Sequence, residues 1–210
     1  MTSVLLVDDH TIFRSGVRHL LLDEPDLRVT GEARNGAEAL EQVRNHAYDV
    51  VLLDINMEGR SGLDVLGTLR ALPRCPPVLM LSMYPEQQYA LVAVQAGASG
   101  YVAKDAEPSE LVQAIRRVAA GGQYLSVAAA RTVLDQLRGL DRRPPHERLS
   151  IREHQIMVMI VRGMSVTAIA DEMALSVKTV SRHRSNLLEK IGVASTAELV
   201  LYAVRHGLVH

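Results

Sequence analysis

The chain is predicted to be an α/β doubly wound five-stranded parallel sheet followed by a small all-α helix-turn-helix domain. Three observations carry this expectation. Short apolar runs and amphipathic segments alternate five times over residues 1–121. Four of those runs end in polar residues, which right-handed crossovers would bring to one sheet edge. Beyond a Pro-Pro pair, the last 62 residues read as helix throughout.

The strands come first. Val4-Leu5-Leu6-Val7 runs into Asp8-Asp9-His10, and Val50-Val51-Leu52-Leu53 runs into Asp54. Pro77 to Leu81 ends at Ser82, and Gly100 to Ala103 ends at Lys104. Continuous apolar runs bounded by turn residues are the mark of strands buried on both faces. Residues 29–33 form a weaker strand. Between them lie helices with an apolar face: one with Ile12, Val17, Leu20 and Leu21 inward and Arg14 and Arg18 outward, then segments near 37–44, 62–72, 87–96 and 108–120. Gly121-Gly122 closes the domain. Residues 122–148 read as a connecting helix (127–137) and a semi-extended linker carrying Arg142-Arg143-Pro144-Pro145.

From residue 149 the pattern changes. Ser150-x-x-Glu153 fits a capping box. A short helix over 168–174, a turn at Leu175-Ser176, a long helix over 177–191 and a last helix over 195–206 follow.

Composition narrows the function classes. With 210 residues the chain suits two domains, and 48% hydrophobic with 22% charged is ordinary for a soluble protein. Residues 1–130 hold 11 Lys+Arg against 16 Asp+Glu, a net −5; residues 131–210 hold 12 against 8, a net +4. An acidic front and a basic back point to different partners, the back facing a polyanion. Cys75 is the only cysteine, which excludes a disulfide framework and a cysteine metal cluster. No membrane span or signal peptide is read, so the expected location is the cytoplasm.

Asp8, Asp9 and Asp54 crowded at one edge repel each other and favour a hard divalent cation such as Mg2+. With a cation from Lys104 and a hydroxyl from Ser82, they suit a phosphoryl group carried on a carboxylate, Asp54 being the best nucleophile on its central strand. On helix 177–191, Lys178, Ser181, Arg182, Ser185 and Lys190 oppose the apolar face; cations and hydroxyls there fit phosphates and groove edges.

These motifs carry two resemblances. Val7-Asp8-Asp9-His10, Leu53-Asp54-Ile55-Asn56-Met57, Leu81-Ser82-Met83 and Tyr101-Val102-Ala103-Lys104 resemble the receiver (CheY-like) domain of two-component response regulators. The resemblance implies Asp54 as phospho-acceptor, Mg2+ held by Asp8, Asp9, Asp54 and the Asn56 backbone carbonyl, Ser82 and Lys104 on the phosphoryl oxygens, and Tyr101 as a switch. Glu58 departs from the family, which often has Pro there. Leu149-Ser150-x-Arg152-Glu153, Gly163-Met164-Ser165, Ser176 to Ser181 with His183, and Asn186 to Val193 resemble the LuxR-type helix-turn-helix of the NarL/FixJ regulators. That implies a recognition helix presenting Lys178, Thr179, Ser181, Arg182, Ser185 and Lys190 to double-stranded DNA. It also implies a final helix able to form a homodimer, a sensor histidine kinase upstream and RNA polymerase as a further partner. Catalysis is limited to slow autophosphorylation from small phosphodonors and autodephosphorylation. An aspartyl phosphatase is disfavoured because Asn56 stands where such enzymes place a second Asp. A regulator that binds DNA without phosphorylation remains the alternative.

Overall fold

The computed structural model describes residues 1–57, 61–83, 86–137 and 144–208. The chain divides into two compact units, Met1–Leu140 and Asp141–His210.

The first unit alternates strand and helix: β1 (Thr2–Val7), α1 (Thr11–Leu22), β2 (Leu27–Ala33), α2 (Gly36–Asn45), β3 (Val50–Asp54), α3 (Gly62–Arg70), β4 (Val78–Ser82), α4 (Glu86–Gln95), β5 (Gly100–Ala103), α5 (Pro108–Ala119) and α6 (Val127–Leu137). All strand pairs are parallel, in the order β2-β1-β3-β4-β5. The order reverses direction between β1 and β3, and in open α/β sheets such a reversal opens a crevice at the carboxyl ends of the two strands. β3 and β4 are buried along their whole length, which is why their sequences are unbroken apolar runs. β2 alternates between buried and exposed positions, as a half-covered edge strand does. One sheet face packs Val4, Leu6 and Leu52 against Val17 and Leu21 of α1 and Leu111, Ile115 and Val118 of α5. α2 and α3 abut so closely that a Cβ on Gly36 would run into Val65.

Two features differ from the reading of the sequence. Ile12 is 89% exposed, whereas Arg14 is buried in α1. Side-chain polarity alone puts Ile12 inward and Arg14 outward, but Arg14 reaches partners beneath the helix that no local pattern reveals. α6 is also more than a connector, because it packs on α4 within the first unit. Ahead of it, the Tyr124 carbonyl accepts from the Tyr101 N–H at 3.2 Å and covers part of the β5 edge.

The second unit begins with a 3-10 helix (Pro145–Arg148), so this end of the expected linker is structured; Arg142 and Arg143 lie outside the described residues. His146 is buried there, with Nδ1 2.9 Å from the Tyr202 hydroxyl. Four helices follow: α7 (Ile151–Val161), α8 (Val166–Glu172), α9 (Val177–Ile191) and α10 (Thr196–Arg205). Each starts on a serine, Ser150, Ser165, Ser176 or Ser195, whose side chain accepts the backbone N–H three residues on. Ile156, Ile169, Val180, Leu187 and Leu199 form the shared core. No helix among the described residues is long and apolar enough to cross a membrane.

Candidate phospho-acceptor site and nucleic-acid interface

β1 and β3 deliver their terminal carboxylates to the same point by the same local device. Asp8 Oδ1 accepts the His10 N–H at 2.8 Å, and Asp54 Oδ1 accepts the Asn56 N–H at 3.1 Å. Each strand therefore ends in a turn held by its own aspartate, which aims the second carboxylate oxygen into the crevice. Asp8 and Asp54 are fully buried; Asp9 is partly exposed. Gly62 opens α3 against the floor of this site, where a Cβ would collide with the Asp54 carbonyl.

Lys104, one residue past β5, carries the balancing charge. Its Nζ lies 2.7 Å from Asp8 Oδ2 and 2.8 Å from Asp54 Oδ2, with the side chain almost completely buried. The same ammonium stands 4.7 Å from the centroid of the Phe13 ring. Burial pushes the Asp54 carboxyl up to about 6; Lys104 opposes this and the Asp8 charge adds to it. Ser82 is fully buried at the end of β4, and its carbonyl accepts the Lys104 N–H at 2.7 Å. Tyr101 is fully buried on β5. Five expected groups, Asp8, Asp9, Asp54, Asn56 and Lys104, are thus gathered at the crevice, with Ser82 on its rim. Glu58 lies outside the described residues.

Two participants were not anticipated. His10 Nδ1 lies 2.8 Å from Asp9 Oδ1 and 3.2 Å from Asp8 Oδ1, and Asp8, Asp9, His10 and Asp54 each offer one donor atom within 4.8 Å of the others. Its position directly after the acidic pair was the available signal. Arg14 donates from Nη1 to the Asp8 carbonyl at 2.6 Å, and nothing in the sequence announces that contact. Carboxylates with one imidazole form an oxygen-rich donor set that suits a hard divalent cation.

In the second unit, Met173 to Ser176 link α8 to α9, with Ala174 at φ 50° making the turn. The apolar side of α9 buries Val180, Leu187, Leu188 and Ile191. Lys178, Ser181, Arg182 and Ser185 are exposed on the other side, at spacings that stack them along one face. Among the described residues Lys178 and Arg182 form no ion pair, so both cations face outward uncommitted. Two hydroxyls are engaged locally: Thr179 Oγ1 lies 2.7 Å from Ser176 Oγ, and Ser185 donates to the Ser181 carbonyl at 3.1 Å.

Lys190 is exposed like the other cations but, unlike Lys178 and Arg182, has an acidic partner. Its ammonium donates to Glu153 Oε2 at 2.7 Å, tying α9 to the capping box of α7. Glu153 is buried, which would raise its carboxyl, but Lys190 and Ser150 hold it below the usual range. A lysine at the end of a basic face reads as a ligand for phosphate until its acidic partner, far away in sequence, is placed beside it.

A doubly wound domain with carboxylates and a lysine at its switch point, joined to a helix-turn-helix unit, defines a signal-responsive regulator. The chain belongs to the two-component response regulators of the NarL/FixJ family, with a LuxR-type second domain. Residues 4–116 match the response regulator receiver domain, and residues 147–203 match the luxR family of bacterial regulatory proteins. The response regulator UvrY of Escherichia coli (strain K12) is 39% identical over 99% of this chain and 96% of its own length. The response regulator GacA of Pseudomonas viridiflava is 40% identical over 100% and 98% respectively. A LuxR-family two-component response regulator from Aurantimonas, solved by crystallography, is 34% identical, covering 66% of this chain and 99% of its own, with a TM-score of 0.61. RcsB of Salmonella enterica serovar Typhimurium, solved bound to promoter rprA with the phosphomimetic BeF3−, shares the fold at 21% identity, covering 96% and 98%, with a TM-score of 0.70.

Proposed function

We propose that this protein regulates transcription by binding DNA through α9, under control of Mg2+-dependent phosphorylation of Asp54 by a sensor histidine kinase. The observation that carries the reading is the pairing of Lys104 Nζ with both Asp8 Oδ2 and Asp54 Oδ2, at 2.7 and 2.8 Å, in a buried site at the switch point. A carboxylate held there beside a fixed cation is positioned as a nucleophile toward an incoming phosphoryl group. Asp8, Asp9, Asp54 and the Asn56 carbonyl would hold Mg2+, which supplies charge neutralisation for the phosphoryl oxygens. Lys104 and Ser82 then bind the oxygens of the phosphorylated product, and the buried Tyr101 is the ring through which β5 reports the change. The alternative, DNA binding independent of phosphorylation, shares the same α9 surface.

On the DNA side, Lys178 and Arg182 are the cations expected at phosphates or base edges, with Ser181 and Ser185 as shorter donors. RcsB is bound to promoter rprA in one solved structure and to DNA in another, which supports the same role for this helix-turn-helix. Leu201 and Val204 of α10 are 57% and 62% exposed, which supports a homodimer through that helix and two recognition helices on two half-sites.

The test treats the full chain and its Asp54→Asn variant with acetyl phosphate and Mg2+, then measures DNA affinity. The expected result is a base- and hydroxylamine-labile acyl phosphate on the unmodified chain only, with a change in its DNA affinity. Equal DNA affinity and no phosphate in the unmodified chain would establish the phosphorylation-independent reading instead.

A further inference from the structure

Arg14 is a buried arginine on a helix whose partners are unusual. Nη1 donates to the backbone carbonyl of Asp8 at 2.6 Å, while Nε donates to Glu32 Oε2 at 3.3 Å near the end of β2. Nη2 reaches Thr11 Oγ1 at 3.4 Å, and the Arg14 N–H donates to the His10 carbonyl at 3.1 Å. The guanidinium thus spans α1, β2 and the turn that carries the acidic pair. Arg18 joins the same carboxylate at its exposed end, with Nη1 3.5 Å from Glu32 Oε1.

The division of labour within this fork follows from the chemistry. Glu32 balances the charge, without which a buried guanidinium is costly. The Asp8 carbonyl takes no charge and receives only direction. That carbonyl and the Asp9 N–H belong to one planar peptide unit, so holding the oxygen fixes the plane and restricts the backbone torsions on both sides of it. Those torsions set where the side chains of Asp8 and Asp9 leave the chain. The guanidinium takes the Asp8 carbonyl and leaves the side-chain carboxylates to the groups inside the crevice.

We infer that Arg14 is a positioning residue for the divalent cation site, acting through the Asp8 carbonyl to keep the Asp8 and Asp9 carboxylates convergent on Asp54. The inference rests on the metal-site reading given under Proposed function. Groups one layer behind metal ligands commonly change affinity by about 10- to 100-fold when removed. The experiment measures Mn2+ binding to the full chain from the electron paramagnetic resonance signal of free Mn2+, a readout independent of phosphorylation. Arg14→Gln is expected to weaken binding by about tenfold or more. Glu32→Gln, which keeps the carbonyl contact but loosens the fork, falls between Arg14→Gln and the unmodified chain. Arg18→Gln removes only the exposed end of the network and binds Mn2+ like the unmodified chain. Each variant is checked for a cooperative thermal transition. A folded Arg14→Gln or Glu32→Gln that binds Mn2+ as tightly as the unmodified chain overturns the positioning role. If the unmodified chain fails to bind Mn2+ at millimolar concentration, the metal-site reading itself falls, a separate outcome. Should Arg14→Gln not fold, the Glu32→Gln and Arg18→Gln pair decides alone.

Discussion

Lys104 Nζ lies 2.8 Å from Asp54 Oδ2, yet this contact does not bring the carboxyl of Asp54 back to its ordinary range. Burial outweighs the cation and leaves it at about 6, above the 3.8 of the free side chain. Between those values the folded chain holds a proton that the unfolded chain has released. Stability therefore falls as pH rises across this window, and the cost is complete above about pH 6.

Asp54→Asn removes this cost and retains an acceptor for the Asn56 N–H. In metal-free buffer above pH 7 the variant should be more stable than the unmodified chain by on the order of 2 kcal/mol, the gap closing below pH 4. Calorimetry across pH reads the difference. A variant less stable than the unmodified chain at neutral pH would contradict the assignment of burial as the dominant cause.

Gly62→Ala drives a methyl into the Asp54 carbonyl, a backbone atom that cannot step aside. A loss of about 1–3 kcal/mol is expected in denaturant unfolding of the first unit. Gly16→Ala, where nothing lies within 4 Å, is the matched control and should change little.

The cations of α9 separate by role. Under the proposed reading, in which both cations meet phosphates, Lys178→Ala and Arg182→Ala should each lower the dependence of log affinity on log salt by about one. Lys190→Met should leave that slope nearly intact and instead destabilise the second unit by about 1 kcal/mol, a figure discounted for the exposure of Lys190. Salt titrations on duplex DNA, paired with thermal melts, distinguish the two behaviours. A steep loss of slope in Lys190→Met would return that residue to the DNA face.

His154 is held neutral by burial, with the nearby His146 opposing its charge as well, and its pKa is pulled from 6.5 to about 4. The unfolded chain binds the proton first as pH falls, so the second unit loses stability between about pH 6.5 and pH 4. By pH 5 this group alone should account for on the order of 1–2 kcal/mol. His154→Gln is expected to flatten the pH dependence of the second unit's unfolding midpoint over that window.

The strands were legible because β1, β3 and β4 are covered on both faces, so burial writes itself as an unbroken apolar run. Their terminal residues were legible for the same reason: Asp8, Asp54 and Ser82 interrupt runs that otherwise tolerate no polar group. The capping box of Ser150 and Glu153 is local and was read directly. What escaped were contacts closed by tertiary structure. Arg14 looked like a solvated cation because its acceptors are a backbone carbonyl and a glutamate 18 positions away. The ion pair of Lys190 was hidden because its partner Glu153 stands 37 positions earlier. Charge identity is visible in a sequence; charge partnership is decided by the fold.

The four serine caps of the second unit have a kinetic consequence. Each helix start is specified within four consecutive residues, so the boundaries of α7 to α10 need no distant contact to be defined. Only the meeting of their apolar faces must be found by search, and structures dominated by such short-range instructions fold quickly. A small unit with that property can regain its shape on its own after transient opening, sooner than a neighbour whose parallel sheet must be assembled from strands far apart in the chain.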